Sequence, residues 1–162
     1  MRWLDEGFRE DPGHYFLQTL LALVVLGCIA WVMLPLAPAQ VVTASLGASA
    51  FIVFAMPKHD TARTRNVVGG QAVGIGIGLL FSALVDYSAL SRLPQAAFLA
   101  GVVAVAIFVM VLTNTEHPPA AGNALAFAIM PIHGRAALAA FGVVVALAAA
   151  RLLLRDWLRD LV

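Results

Sequence analysis

Four long apolar runs constrain this chain more than any other feature. Tyr15–Leu36, Val67–Val85 and Ala96–Leu112 contain no charged residue, and Ala136–Leu154 contains only Arg151. Each approaches the ~20 residues that an α-helix needs to cross ~30 Å of hydrocarbon. Composition agrees: with its glycines the chain is about 70% apolar, against ~45–50% in soluble domains, which excludes a water-soluble fold. The net charge of +1 is too small for nucleic-acid binding. Most basic residues instead flank the apolar runs, where they act as topology signals. Cys28 is the single cysteine, so no disulfide framework exists. Ala37-Pro38-Ala39 resembles a processing site, but the preceding apolar run exceeds the ~7–15 residues of a signal core, so a retained span is expected.

The chain divides into an interfacial segment 1–14, a first transmembrane repeat 15–85, a connecting loop 86–95, a second repeat 96–154 and a tail 155–162. Trp3, Leu4 and Phe8 lie near one helical face of the interfacial segment. Two shorter apolar stretches, Val41–Pro57 and Pro118–Pro131, separate the long runs and resemble each other at an offset of 74. Gly47-Ala48-Ser49-Ala50 through Met56-Pro57 aligns with Ala121-Gly122-Asn123-Ala124 through Met130-Pro131, and His59 meets His133. If both stretches cross, the cytoplasmic side holds Arg2, Arg9, Lys58, Arg63, Arg65, Arg151, Arg155 and Arg159, leaving Arg92 and Arg135 outside. Re-entrant hairpins would weaken that asymmetry, so six crossings fit better. The expected fold is all-α and transmembrane: two inverted repeats of three crossings, each a long helix, a short broken helix and a long helix. Both termini are expected to be cytoplasmic in a multi-pass cell (inner) membrane protein.

A helix over Ser45–Met56 covers only ~18 Å, so extended chain is expected at Pro38–Ala44 and, in the second half, at Thr113–His117. In that arrangement the two short helices converge through their N-termini, whose free N–H groups and partial positive charge favour an anion. Candidate substrate-binding residues are Thr43, Ser45, Gly47, Ser49, Asn114, His117, Pro118 and Asn123. Glu116 and His117 are candidate proton-linked or gating groups, because ionisable residues at membrane depth point to function. Ordinary capping and interhelical hydrogen bonding is the competing account of each single hydroxyl or amide. Gly70, Gly74 and Gly78 form a stripe expected to serve helix packing, and Gln71 beside it must find a polar partner. His14, His59 and His133 fall at span ends. No metal-ligand spacing, paired carboxylates or activated nucleophile is visible, so no metal, cofactor or enzymatic activity is expected.

Glu116-His117-Pro118-Pro119-Ala120-Ala121, Ser45-Leu46-Gly47-Ala48-Ser49-Ala50 and Arg65-Asn66-Val67-Val68-Gly69-Gly70 together resemble the HPP family of integral membrane proteins, named for its His-Pro-Pro motif. The resemblance covers nearly the whole chain. It implies four transmembrane helices and small-anion transport, since some plant and cyanobacterial members are associated with nitrite. It assigns motif positions to His117, Pro118 and Pro119, and to Gly47, Ala48, Ser49, Arg65, Asn66, Gly69 and Gly70. The chain departs from the family pattern at Thr64 (commonly Pro), at Gln71 (commonly His) and at Asn123 (commonly Thr). The expected function is therefore a transporter or channel for a small inorganic anion, nitrite first. The expected partners are that anion, the lipid bilayer and further copies of the chain in a homo-oligomer. A non-transporting module that binds lipid or a partner protein is the alternative.

Overall fold

The computed structural model describes residues 6–36, 39–130 and 134–162, with the backbone alone for 39–46. Among these residues the chain is all-α. The helices are α1 (Glu6–Glu10), α2 (Pro12–Met33), α3 (Ala39–Ala55), α4 (Thr64–Leu84), α5 (Arg92–Leu112), α6 (Pro119–Ile129) and α7 (Gly134–Leu154). Single 3₁₀ turns at Asp60–Ala62 and Tyr87–Ala89 precede α4 and α5. Four helices (α2, α4, α5 and α7) are long and apolar enough to cross a membrane.

Local chemistry sets the helix ends. Asp11 starts α2 by accepting the His14 N–H (3.1 Å), and Pro12, lacking an N–H, suits the first helical position. Phe8 of α1 packs edge-on against Tyr15 and Phe16; Trp3 and Leu4 lie outside the described residues. Helix α5 closes in a Schellman arrangement: Thr115 N–H reaches Met110 O (2.9 Å), Asn114 N–H reaches Val111 O (3.1 Å), and Asn114 takes the left-handed φ of 54°.

Side-chain and backbone contacts give the running directions. Gln18 near the start of α2 donates to Phe54 O at the end of α3, so these helices are antiparallel. Phe81 meets Phe98, and Arg65 reaches Thr113 O, which makes α4 and α5 antiparallel as well. Helices α4 and α6 run parallel, because Gly70 faces His117 and Gly78 faces Ala124 and Phe127. Gly142 of α7 lies against Met33, while Arg151 grips Pro57 O, so α7 returns to the end of the bundle where the chain began. There the tail is tied down: Leu161 N–H bonds Ala55 O (2.8 Å), Lys58 N–H bonds Asp160 Oδ1 (2.9 Å) and Arg159 pairs with Asp11 (3.3 Å). Gln18, 2% exposed, completes this end by donating to Arg159 O and accepting the Arg159 N–H.

Helix α4 occupies the centre of the bundle. Val67 joins Val53, Phe54, Val143, Val144 and Leu147 in one core between α2, α3 and α7. Val102, Ala106, Met110, Ala120 and Ala124 form a second core, between α5 and α6, against which Val73 and Ile77 of α4 pack. Outward side chains such as Phe16, Leu23, Trp31 and Phe108 are apolar and more than half exposed, as a face meeting lipid requires.

One expectation is corrected. Residues 39–44 are helical, not extended, so α3 spans 17 residues, or about 26 Å, and begins far from the start of α6. The physical reason lies in the repeat itself. Pro118 and Pro119 hold the start of α6 back, whereas the matching positions of the first half are Ala44 and Ser45, which leave a helix free to continue. Among the described residues the expected break is therefore present only in the second half.

Candidate functional site

The break between α5 and α6 is a six-residue strap, 113–118, folded against α4. Two side chains of α4 hold its carbonyl groups: Arg65 Nη2 donates to Thr113 O (2.8 Å) and Asn66 Nδ2 to Glu116 O (3.1 Å). One turn further, α4 offers no side chain at all. A Cβ on Gly69 would stand 2.7 Å from Thr115 Cγ2, and one on Gly70 would stand 2.6 Å from Thr115 O and from His117 Cβ. Bonds from Arg65 and Asn66 fix the strap, and the bare Gly69-Gly70 surface lets it lie close enough to be fixed. Gly74 and Gly78 extend that surface along α6; a Cβ on Gly78 would come within 2.6 Å of Phe127 Cβ, and one on Gly74 would strike Ala120 O.

His117 emerges from the strap fully buried. Its Nδ1 lies 3.0 Å from Thr61 O, and its Nε2 lies 2.9 Å from Ser49 Oγ in the middle of α3. Gln71 Nε2 donates to the same Ser49 Oγ (3.0 Å), and Asn123 Nδ2 of α6 donates to Gln71 Oε1. Ser49, Gln71, His117 and Asn123 are each at most 1% exposed, so this polar chain runs through the apolar centre of the bundle and links α3, α4, the strap and α6. Buried polar groups cost free energy unless they are paired, and here they pair with one another.

Of the residues singled out from sequence, the structure brings Ser49, His117 and Asn123 together. Gln71, which sequence reasoning tied to the glycine stripe, joins them; its signal was a lone amide in a glycine-rich apolar run. Thr61 takes part through its backbone carbonyl, which leaves no trace in sequence. Gly47 is exposed and faces α2, on a cleft shared with Gln18, Ala22 and Phe51. Asn114 is exposed and acts as the stop of α5, and Pro118 is exposed at the start of α6. Glu116 is half-buried and, with His117 and Pro118, borders an apolar cavity of about 260 Å³ beside Ile107, Met110 and Val111. The side chains of Thr43 and Ser45, and the whole of His133, lie outside the described residues.

The expected anion cradle of two converging helix N-termini is not formed. The start of α6 faces Ser49, ten residues into α3, instead of the start of α3. Nor does α6 carry free donors there: Pro118 and Pro119 have no N–H, Ala120 N–H bonds His117 O (2.9 Å) and Ala121 N–H bonds Pro118 O (3.1 Å). Side chains, not helix-end amides, supply the polar groups. Among the described residues no cluster of His, Cys, Asp and Glu could hold a metal ion.

A family model described as HPP, transmembrane region, matches residues 9–158. The chain belongs to the HPP family. Its His-Pro-Pro triplet is His117-Pro118-Pro119, and each member has a physical role in this geometry. The histidine closes the polar chain, and the prolines keep α6 from extending back through the strap. The chain is 30% identical over 132 residues to a transmembrane protein of Dictyostelium discoideum, covering 76% of this chain and 45% of the relative. It thus spans less than half the length of that relative. No solved structure matches it.

Proposed function

We propose that this HPP protein is a transporter or channel for a small monovalent inorganic anion, nitrite being the first candidate, in the cell membrane with both termini cytoplasmic. The observation that carries this reading is the buried chain of Ser49, Gln71, His117 and Asn123. Polar side chains at membrane depth are costly and mark pathways, and irregular backbone at that depth belongs where it is enclosed by protein or lines a cavity. Both occur together here. These four buried side chains include no acid, which favours an anion over a cation. Lys58, Arg63 and Arg65, exposed near the end of the bundle from which the strap descends, would raise the local anion concentration. The opposed running directions of the segments 15–85 and 96–154 support six crossings in two inverted repeats. Outward small residues such as Gly76, which nothing else among the described residues covers, suit assembly with further copies of the chain.

The test is uptake by purified protein in liposomes, with nitrite as the anion and nitrate, formate and chloride as competitors. Saturable flux is expected. His117→Ala should reduce it roughly 5- to 150-fold, because one lost buried hydrogen bond is worth ~1–3 kcal/mol and ~1.4 kcal/mol is tenfold. The variant should still elute as a folded species. Absence of flux for all four anions, with a lipid or protein retained through purification, would replace this reading by that of a binding module.

A further inference from the structure

The hydrogen bonds of the buried chain all point one way. Thr61 O can only accept, so His117 Nδ1 carries a proton and donates to it. In a neutral imidazole Nε2 is then the acceptor, and Ser49 Oγ–H must donate into it. Ser49 Oγ accepts from Gln71 Nε2, whose Oε1 accepts from Asn123 Nδ2. The direction is thus Asn123 to Gln71 to Ser49 to His117 to the Thr61 carbonyl. Each bond along that line uses one hydrogen, and His117 turns a lone pair, not a hydrogen, toward Ser49. In this state the site carries no positive charge to hold an anion.

Adding one proton changes it. With Nε2 protonated, the Nδ1–H bond to Thr61 O is kept. Nε2–H becomes a donor, and the Ser49 hydroxyl, no longer needed by Nε2, can turn its hydrogen outward. Nε2–H and Gln71 Nε2–H then both donate to Ser49 Oγ, and the hydroxyl hydrogen they free, beside a single positive charge, suits a monovalent oxyanion. Resting on the reading above, we infer that the site at Ser49 and His117 takes its anion only together with a proton, so that HPP-mediated transport here is electroneutral anion–proton symport with His117 as the coupling group. The proton comes from water on the loading side, resides on Nε2 while the anion is bound, and returns to water with the anion on the other side.

The surroundings allow this assignment. Around the imidazole, α3 presents Ser49, α4 presents Gly70, and α6 presents Ala120 and Ala121, with Gln71 and Asn123 reached through Ser49. The connection before α4 presents Thr61 O; its Asp60 and Arg63 pair with each other at 2.7 Å and are exposed. Arg65 is engaged on Thr113 O, and Arg151 on Pro57 O. From α5, Ile107 and Met110 are apolar. Glu116, adjacent in the chain and bordering the same cavity as His117, is the ionisable neighbour through which a proton can pass from water.

The experiment uses the full chain in liposomes loaded with a pH-sensitive dye. External nitrate or nitrite is supplied under an imposed pH gradient or a potassium diffusion potential. Protein-free vesicles are subtracted, because the free acid of nitrite crosses lipid unaided. The expected result is one proton entering per anion and no response to the potential. Above the titration of the site, the rate should fall about tenfold for each pH unit. His117→Gln keeps a hydrogen-bonding amide but cannot take the proton, and should lose proton entry and at least about nine-tenths of the anion flux while its thermal unfolding stays close to that of the parent. Flux driven by the potential without proton entry would overturn the inference and leave the transport reading standing, as would proton-coupled flux retained by His117→Gln. Failure to move any anion would overturn both.

Discussion

Asn114 shows how a single residue's chemistry can be read in two ways. A polar amide beside a broken helix is a natural candidate for substrate binding, yet its φ of 54° and its place after Thr113 make it the stop of α5. Asparagine and glycine tolerate the left-handed region, whereas a β-branched residue there costs about 1–2 kcal/mol. Asn114→Gly should therefore leave both stability and anion flux unchanged, while Asn114→Val should lower the unfolding temperature measured in detergent. A loss of flux in the glycine variant at full stability would return Asn114 to the pathway. The contrast with His117 is instructive. His117 stands out in the sequence as an ionisable side chain inside an apolar run, but its partners do not, because Ser49 lies 68 positions away and Thr61 contributes only its backbone.

At the scale of elements, the glycine stripe of α4 and the strap explain each other. In lipid there is no hydrophobic gain from bringing two apolar helices together, so close backbone approach and hydrogen bonds must hold them. Gly70, Gly74 and Gly78 all face α6 or the strap, and their nearest neighbours include backbone carbonyls that cannot turn aside. Gly76, on the same helix, has nothing within 4 Å of a would-be Cβ. Gly78→Ala should cost about 1–3 kcal/mol through overpacking and loosen the Gln71–Asn123 contact, whereas Gly76→Ala should be neutral or slightly stabilising. Thermal unfolding of the two variants in the same detergent checks this, and equal behaviour would mean that α4 and α6 are less closely packed. The four long helices were legible from run length alone, and the break before α6 from its prolines. The length of α3 was not: the internal similarity suggests equal halves, while the two prolines that shorten α6 have no counterpart at Ala44 and Ser45.

For the whole molecule, the question that orders everything else is whether the two shorter helices cross. Positive charge favoured crossing, and the contacts at the end of the bundle supply an independent argument. Lys58 N–H bonds Asp160 and Arg151 grips Pro57 O, so the connection after α3 lies beside the C-terminal tail, and Arg159 with Asp11 brings the start of α2 to the same place. A re-entrant α3 would put residue 58 on the side opposite the tail and residue 88 on the same side as the tail. A crossing α3 reverses both. With Cys28 replaced by serine, single cysteines at Lys58, Ser88 and Asp156 can be offered to a membrane-impermeant thiol reagent from each side in turn. Residues 58 and 156 are expected to react from one side and 88 from the other. Because most of the basic residues sit with 58 and 156, that shared side should be the cytoplasmic one. Pairing of 88 with 156 would refute the six-crossing arrangement and with it the two-fold inverted plan, and would leave the strap and His117 opening to the opposite face of the membrane.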